Sequence, residues 1–204
     1  MSPSPAQAPY VEPWLRDTHT DGPAAGRAVL HALELSLDDL TKWTAGLTDA
    51  EIHCAPLGVT SIAFHLRHIA GSVDRILTYA EGNQLSSEQL AALKSENAGE
   101  AEAKNPATAQ RENADAPNWE GTPQSLAELL AAVEISFSDA AARLRVLATA
   151  DLDTPRFVGR KQLPTSLGGA MIHVGEHAAR HTGQVVTTAK AIKALRRFES
   201  LPEK

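Results

Sequence analysis

Ser166-Leu167-Gly168-Gly169-Ala170-Met171-Ile172-His173-Val174-Gly175-Glu176-His177-Ala178-Ala179-Arg180-His181-Thr182-Gly183-Gln184-Val185-Val186 is the stretch on which the reading of this chain turns. Three of the eight histidines stand here, each four residues after the last. Random placement of the histidines would give roughly 0.3 pairs at that spacing in the whole chain, so the row is a signal. On a helix, positions four apart lie one turn along the same stripe. Two imidazoles so placed can close on one metal ion, leaving a third ligand to come from elsewhere. The source lies about a hundred residues earlier, in Ser61-Ile62-Ala63-Phe64-His65-Leu66-Arg67-His68-Ile69-Ala70.

Around that stretch the chain predicts helices. Apolar residues make up 43% of its 204 positions and aromatic residues only 4%, with Ala and Leu dominant, which favours helix. Val29, Leu30, Leu33, Leu37, Leu40 and Trp43 recur at helical spacing, opened by Asp21-Gly22-Pro23 and stopped by Gly46, for a first helix over 23–45. After a linker at 47–59, Thr60 is placed to cap a second helix over 61–81. Its stripe is Ile62, Leu66, Ile69, Val73, Ile76, Leu77 and Ala80. Thr122-Pro123 opens a third, 123–148, with Leu126, Leu129, Leu130, Val133, Phe137 and Leu144 inward. A second linker fills 150–164. Thr165 or Ser166 then caps a fourth helix over 166–196, with Leu167, Met171, Val174, Ala178, His181, Val185, Ala189 and Ile192 inside.

No strand is legible, so the fold class is all-α, a four-helix bundle. Residues 21–198 form the bundle domain, 1–20 an extended arm laid on it by Tyr10 and Trp14, and 199–204 a tail. Residues 83–121 are a crossover insertion between helices two and three. Ser86-Ser87-Glu88-Gln89 has capping-box form and starts a short helix to about Leu93, and Trp119 is nearly the only large apolar group beyond it. A connection this long suits two parallel helices, which oblige the chain to cross the length of the bundle.

A net charge of −6 with no basic run argues against nucleic acid and acidic membrane as partners. Cys54 is the one cysteine, so no internal disulfide forms, and it reads as a small linker residue. The N-terminus has neither the positive start nor the apolar run of a signal peptide, and no stretch reaches the ~18 apolar residues of a membrane helix; the expectation is a cytoplasmic protein.

A helical wheel puts His181 near the centre of the apolar face, His177 toward one edge and His173 further out. In the second helix, His65 and His68 share one flank, and periodicity slightly prefers His65 as the inward one. Both stay open as the third ligand on this ground. Glu176 and Arg180 point away from the core, and Asp74 with Arg75 reads as a surface pair. Gly183 reads as a close-packing position. Gln184 is placed to donate to a ligand. Arg156, Arg160 and Lys161 are placed to meet an acidic small molecule at the bundle mouth.

Ser61-Ile62…His68-Ile69-Ala70, with His177-Ala178-Ala179-Arg180-His181-Thr182-Gly183-Gln184-Val185 much later, resembles the DinB-like superfamily over about residues 23–196. That resemblance implies an up-down-down-up bundle and a metal held by one histidine of helix two and His-x-x-x-His-x-Gly-Gln of helix four. His68, His177 and His181 match those positions, whereas His65 falls where members vary. Thr182 departs from the family, many members having Arg there. Three neutral imidazoles leave a divalent ion with open positions, as catalytic sites do. Zn²⁺ suits the set best, with Ni²⁺ or Fe²⁺ as alternatives. The related bacillithiol and mycothiol transferases imply a small-molecule substrate, a low-molecular-weight thiol as cofactor and thiol transfer as the reaction. Hydrolysis would use the same parts, and a non-catalytic binding bundle or a homodimeric stress-response protein is the alternative.

Overall fold

A computed structural model of the chain describes residues 10–103 and 123–199. Four long helices, α1 (Ala24–Thr44), α3 (Ile62–Ala80), α5 (Leu126–Leu147) and α6 (Leu167–Glu199), carry the core. Between them lie α2 (Asp49–His53), α4 (Ser87–Ala103) and a hairpin of β1 (Pro155–Val158) and β2 (Leu163–Ser166).

Helix directions follow from named contacts. His65 and His68 of α3 meet His181 and His177 of α6 in reversed order, so these helices are antiparallel. Ser136 donates to the Ala70 carbonyl and Arg143 reaches Asp74 and Glu81, so α3 and α5 run the same way. Gly175 lies against Val29 and Ala32, while Lys193 donates to the Trp43 carbonyl, so α1 and α6 are also parallel. Asp49, just past α1, accepts from the Leu126 amide at the start of α5, which sets α1 antiparallel to α5. The order is up-down-down-up, as the resemblance implies. Each parallel partner is thus separated in sequence by a stretch that must travel back along the bundle.

The core is continuous. Leu40, Ile62, Leu66, Ile69, Val73, Leu77, Val133, Leu144, Leu167 and Val174 are all shielded from solvent. Each such side chain contributes about 1.5–3 kcal/mol relative to exposure.

Helix ends differ from expectation where a better cap stands nearby. Ser61, not Thr60, caps α3 by accepting from the Phe64 amide. Ser125, not Thr122-Pro123, opens α5 through a capping box with Glu128. Ser86 and Gln89 form the expected reciprocal pair, but the helix runs on to Ala103 rather than stopping near Leu93. Ser166 accepts from the Gly169 amide at the head of α6. The linker at 47–59 holds α2, whose capping box joins Thr48 to Glu51 and whose Ile52 is fully buried.

The hairpin corrects the expectation of no strand. Its two strands have four residues each and include Pro155 and Pro164, too short and too proline-bearing for an alternation to register. Gly159 and Gln162, both at positive φ, turn the chain between them. The arm is also corrected: Tyr10 reaches Asp38, but Trp14 is 62% exposed and bonds only to Glu12. Arg16, reaching Glu34 and Asp38, holds the arm instead. Residues 1–9, the 104–122 part of the crossover with Trp119, and 200–204 lie outside the described residues.

Candidate metal centre

The apolar stripe of α6 buries Val174, Ala178 and Val185, which turns the intervening His177 and His181 toward α3. On α3, buried Leu66 and Ile69 fix the rotation that presents His65 and His68 to α6. His68, His177 and His181 each offer a ligand nitrogen, all within 4.8 Å of one another. A tetrahedral ion with bonds of about 2.1 Å needs its donors roughly 3.4 Å apart, so small rotamer shifts suffice. Ring centroids are 5.1 Å apart for His68 and His177, 4.5 Å for His68 and His181, and 4.6 Å for His177 and His181.

The surrounding groups decide which nitrogens are available. His68 Nδ1 lies 3.1 Å from Glu96 Oε2, and its Nε2 lies 2.9 Å from His177 Nε2. The carboxylate therefore accepts a hydrogen bond from Nδ1–H and leaves the Nε2 lone pair facing the other rings, the arrangement that orients histidine ligands in metal sites. Glu96 is itself gripped by both Arg75 terminal nitrogens, at 2.7 and 2.8 Å. Burial pushes its carboxyl pKa up, but the bonds from His68 and Arg75 outweigh that and hold it below the usual range. Gly71 makes the room, since a Cβ there would stand 2.5 Å from Glu96 Oε1 and 2.6 Å from Arg75 Nη1.

His65 and His68 both belong to the site, in different shells of contact. His65 is the more buried, as periodicity prefers, and its Nδ1 lies 3.1 Å from His181 Nδ1. That pairing leaves His181 Nε2 for the cluster. His177 is held neutral, its pKa pushed down to about 4 by burial first and then by the neighbouring His181 and His68. Its Nδ1 is buried with no hydrogen-bond partner. Three imidazoles brought together from two helices, with His177 uncharged and its Nε2 toward His68 Nε2, fit a divalent cation, which needs deprotonated ligands.

His173 is half-exposed, 3.6 Å from Glu176, and its ring lies 5.4 Å from that of His177, at the rim of the cluster and not among its three donors. Other predicted residues stand elsewhere. Gln184 is exposed, and Gly183 has open space where a Cβ would go, so it is not the close-packing glycine; Gly175, against Ala32 and Val29, is. Arg160 is exposed in the hairpin turn, and Arg156 donates to the Ala80 carbonyl. Ala80 is about 18 Å along α3 from His68, so Arg156 does not join the histidines. Asp74 and Arg75 are not a pair: Arg75 is buried on Glu96, and Asp74 bonds Arg143. Sequence reasoning missed Glu96 because it sits in a polar stretch of the crossover. A lone carboxylate there carries no spacing that marks it.

No curated protein matches the chain. A family model for the DinB superfamily matches residues 32–185, from the middle of α1 to four residues past the last clustered histidine. With the helix order and the convergent histidines of α3 and α6, the chain belongs to the DinB superfamily.

Proposed function

We propose that the protein is a metal-dependent enzyme that transfers a low-molecular-weight thiol to a small electrophile. The observation that carries this is the convergence of His68, His177 and His181, three imidazole donors that would leave an ion with open positions. His68, His177 and His181 would hold a divalent ion, Zn²⁺ by preference, which would supply the acidity that brings a thiol's pKa toward neutrality. The thiolate carbon partner then gains a C–S bond while its leaving group departs with the electron pair, and the thiol proton passes to solvent. His68 is 18% exposed, so a small molecule can reach the cluster from outside.

The chain's own part is to orient His68 through Glu96 and His181 through His65. Glu96 is taken up by Arg75 and His68, so it is not a free general base. A thiol, which needs little help to ionise, suits such a site better than water. Gln184 and Arg160, both exposed, remain candidates for contact with a larger substrate.

The test is a conjugation assay with the zinc-loaded protein across a panel of thiols and electrophiles. Thiol-dependent turnover that disappears in His68→Ala supports the reading. Turnover without any thiol would favour hydrolysis, and full activity in His68→Ala would end the metal mechanism. A non-catalytic binding bundle predicts metal uptake with no turnover in either assay.

A further inference from the structure

A second group of metal-type donors lies away from this cluster. His31 and Glu34 are three residues apart on α1, neighbours on the helix surface. His19, from the arm, completes the set, with all three ligand atoms within 4.8 Å of one another. His19 Nε2 lies 3.0 Å from Glu34 Oε2, and the rings of His19 and His31 are 5.1 Å apart. These residues share none with the His68, His177 and His181 cluster.

We propose that His19, His31 and Glu34 form a second divalent-metal site that fastens the arm to α1. Two observations carry this. The first is the donor set itself, two imidazoles and one carboxylate, which suits Zn²⁺ and neighbouring first-row ions. The second is that Nδ1 of His19 and Nδ1 of His31 are both buried without a hydrogen-bond partner. Buried polar atoms are nearly always paired, and an ion would give such an orphaned imidazole nitrogen a partner, while the other nitrogen of His19, Nε2, stands against Glu34.

Glu34 is prepared as a ligand. Arg16 donates to its Oε1 at 3.1 Å and Thr18 to its Oε2 at 2.7 Å, which orients the carboxylate. The ion would add to these contacts by binding His31, whose ring already lies against that of His19. His19 and Glu34 also stand on the wall of a cleft of about 340 Å³ lined chiefly by Leu33, Leu37 and Phe137. The site therefore borders open space rather than packed core.

The experiment uses the untagged full chain carrying His68→Ala and His177→Ala, which removes the first cluster. Co²⁺ and Zn²⁺ uptake are measured by visible absorption and by elemental analysis after desalting. The expected result is about one equivalent bound, lost when His31→Ala is added and lost equally when His19→Ala is added. His19 lies outside every helix, so its variant guards against loss of binding through unfolding, checked by circular dichroism. The wild-type chain is expected to hold about two equivalents and His19→Ala about one. No uptake by the double variant, or uptake that survives both His31→Ala and His19→Ala, overturns the proposal.

Discussion

At the scale of single residues, the candidate centre is governed by which nitrogen of each ring is already spoken for. Glu96 fixes His68, and His65 fixes His181, whereas His177 has no such outer partner. Glu96→Gln is expected to weaken Zn²⁺ binding about 10- to 100-fold without abolishing it, read by competition with a chromophoric chelator. An affinity equal to wild type would show that the carboxylate does not orient the ring. The pH dependence follows from His177, whose folded pKa near 4 lies below its ordinary 6.5. Between those values the unfolded chain binds a proton that the folded, metal-free chain does not, so stability falls as pH falls. Thermal melts of chelated protein should therefore drop across that window, and His177→Gln should flatten the drop; parallel profiles would contradict it.

Among the elements, the glycines of α6 separate two roles that look alike in sequence. Gly183 is exposed with nothing near its absent Cβ, so Gly183→Ala should stabilise the protein by up to about 1 kcal/mol through helix propensity. Gly26 of α1 is the contrast, since a Cβ there would stand 2.8 Å from Ala148 Cβ. Gly26→Ala should cost about 1–3 kcal/mol as overpacking. Urea unfolding of both variants checks the pair, and a loss of stability in Gly183→Ala would mean that the family's glycine serves something not visible in its packing.

The same elements show what a sequence can carry. Most of the inward stripe of α6 was legible, because burial of Leu167, Met171, Val174, Ala178, Val185, Ala189 and Ile192 obeys helical period; His181 is half-buried, and the buried Ala170, Thr182 and Thr188 were not read. His177 and His181 were legible for the same reason. Choosing His68 over His65 needed the resemblance, since both face α6 and period cannot separate a ligand from the residue behind one. Arg75 and Glu96 were illegible. Each is polar, the burial of each depends on the other, and they stand twenty-one positions apart with no common pattern between them. The short hairpin escaped for want of length, and α2 because one turn has no period.

For the molecule as a whole, the histidine cluster joins helices that are distant in sequence and antiparallel in space. An ion shared by α3 and α6 binds only the folded chain, so saturation at 100 times Kd should add about 2.7 kcal/mol of stability. Calorimetry with and without a chelator measures this. A melting temperature that ignores the chelator would mean that no ion bridges the two helices. No helix among the described residues is long and apolar enough to cross a membrane.

The part played by α4 separates what builds this protein from what equips it. No described residue of α4 belongs to the apolar core, yet α4 supplies the carboxylate behind His68 and the counter-charge for Arg75. Replacing residues 83–121 with a neutral flexible tether should therefore leave a bundle that still folds. It would have to span roughly 28 Å, the length of α3. Such a chain would keep its three histidines but strand a guanidinium in the interior, where a lone charge is costly. Swapping that stretch for another is thus a way to retune the metal's grip without redesigning the scaffold, provided residue 75 is neutralised in the same stroke.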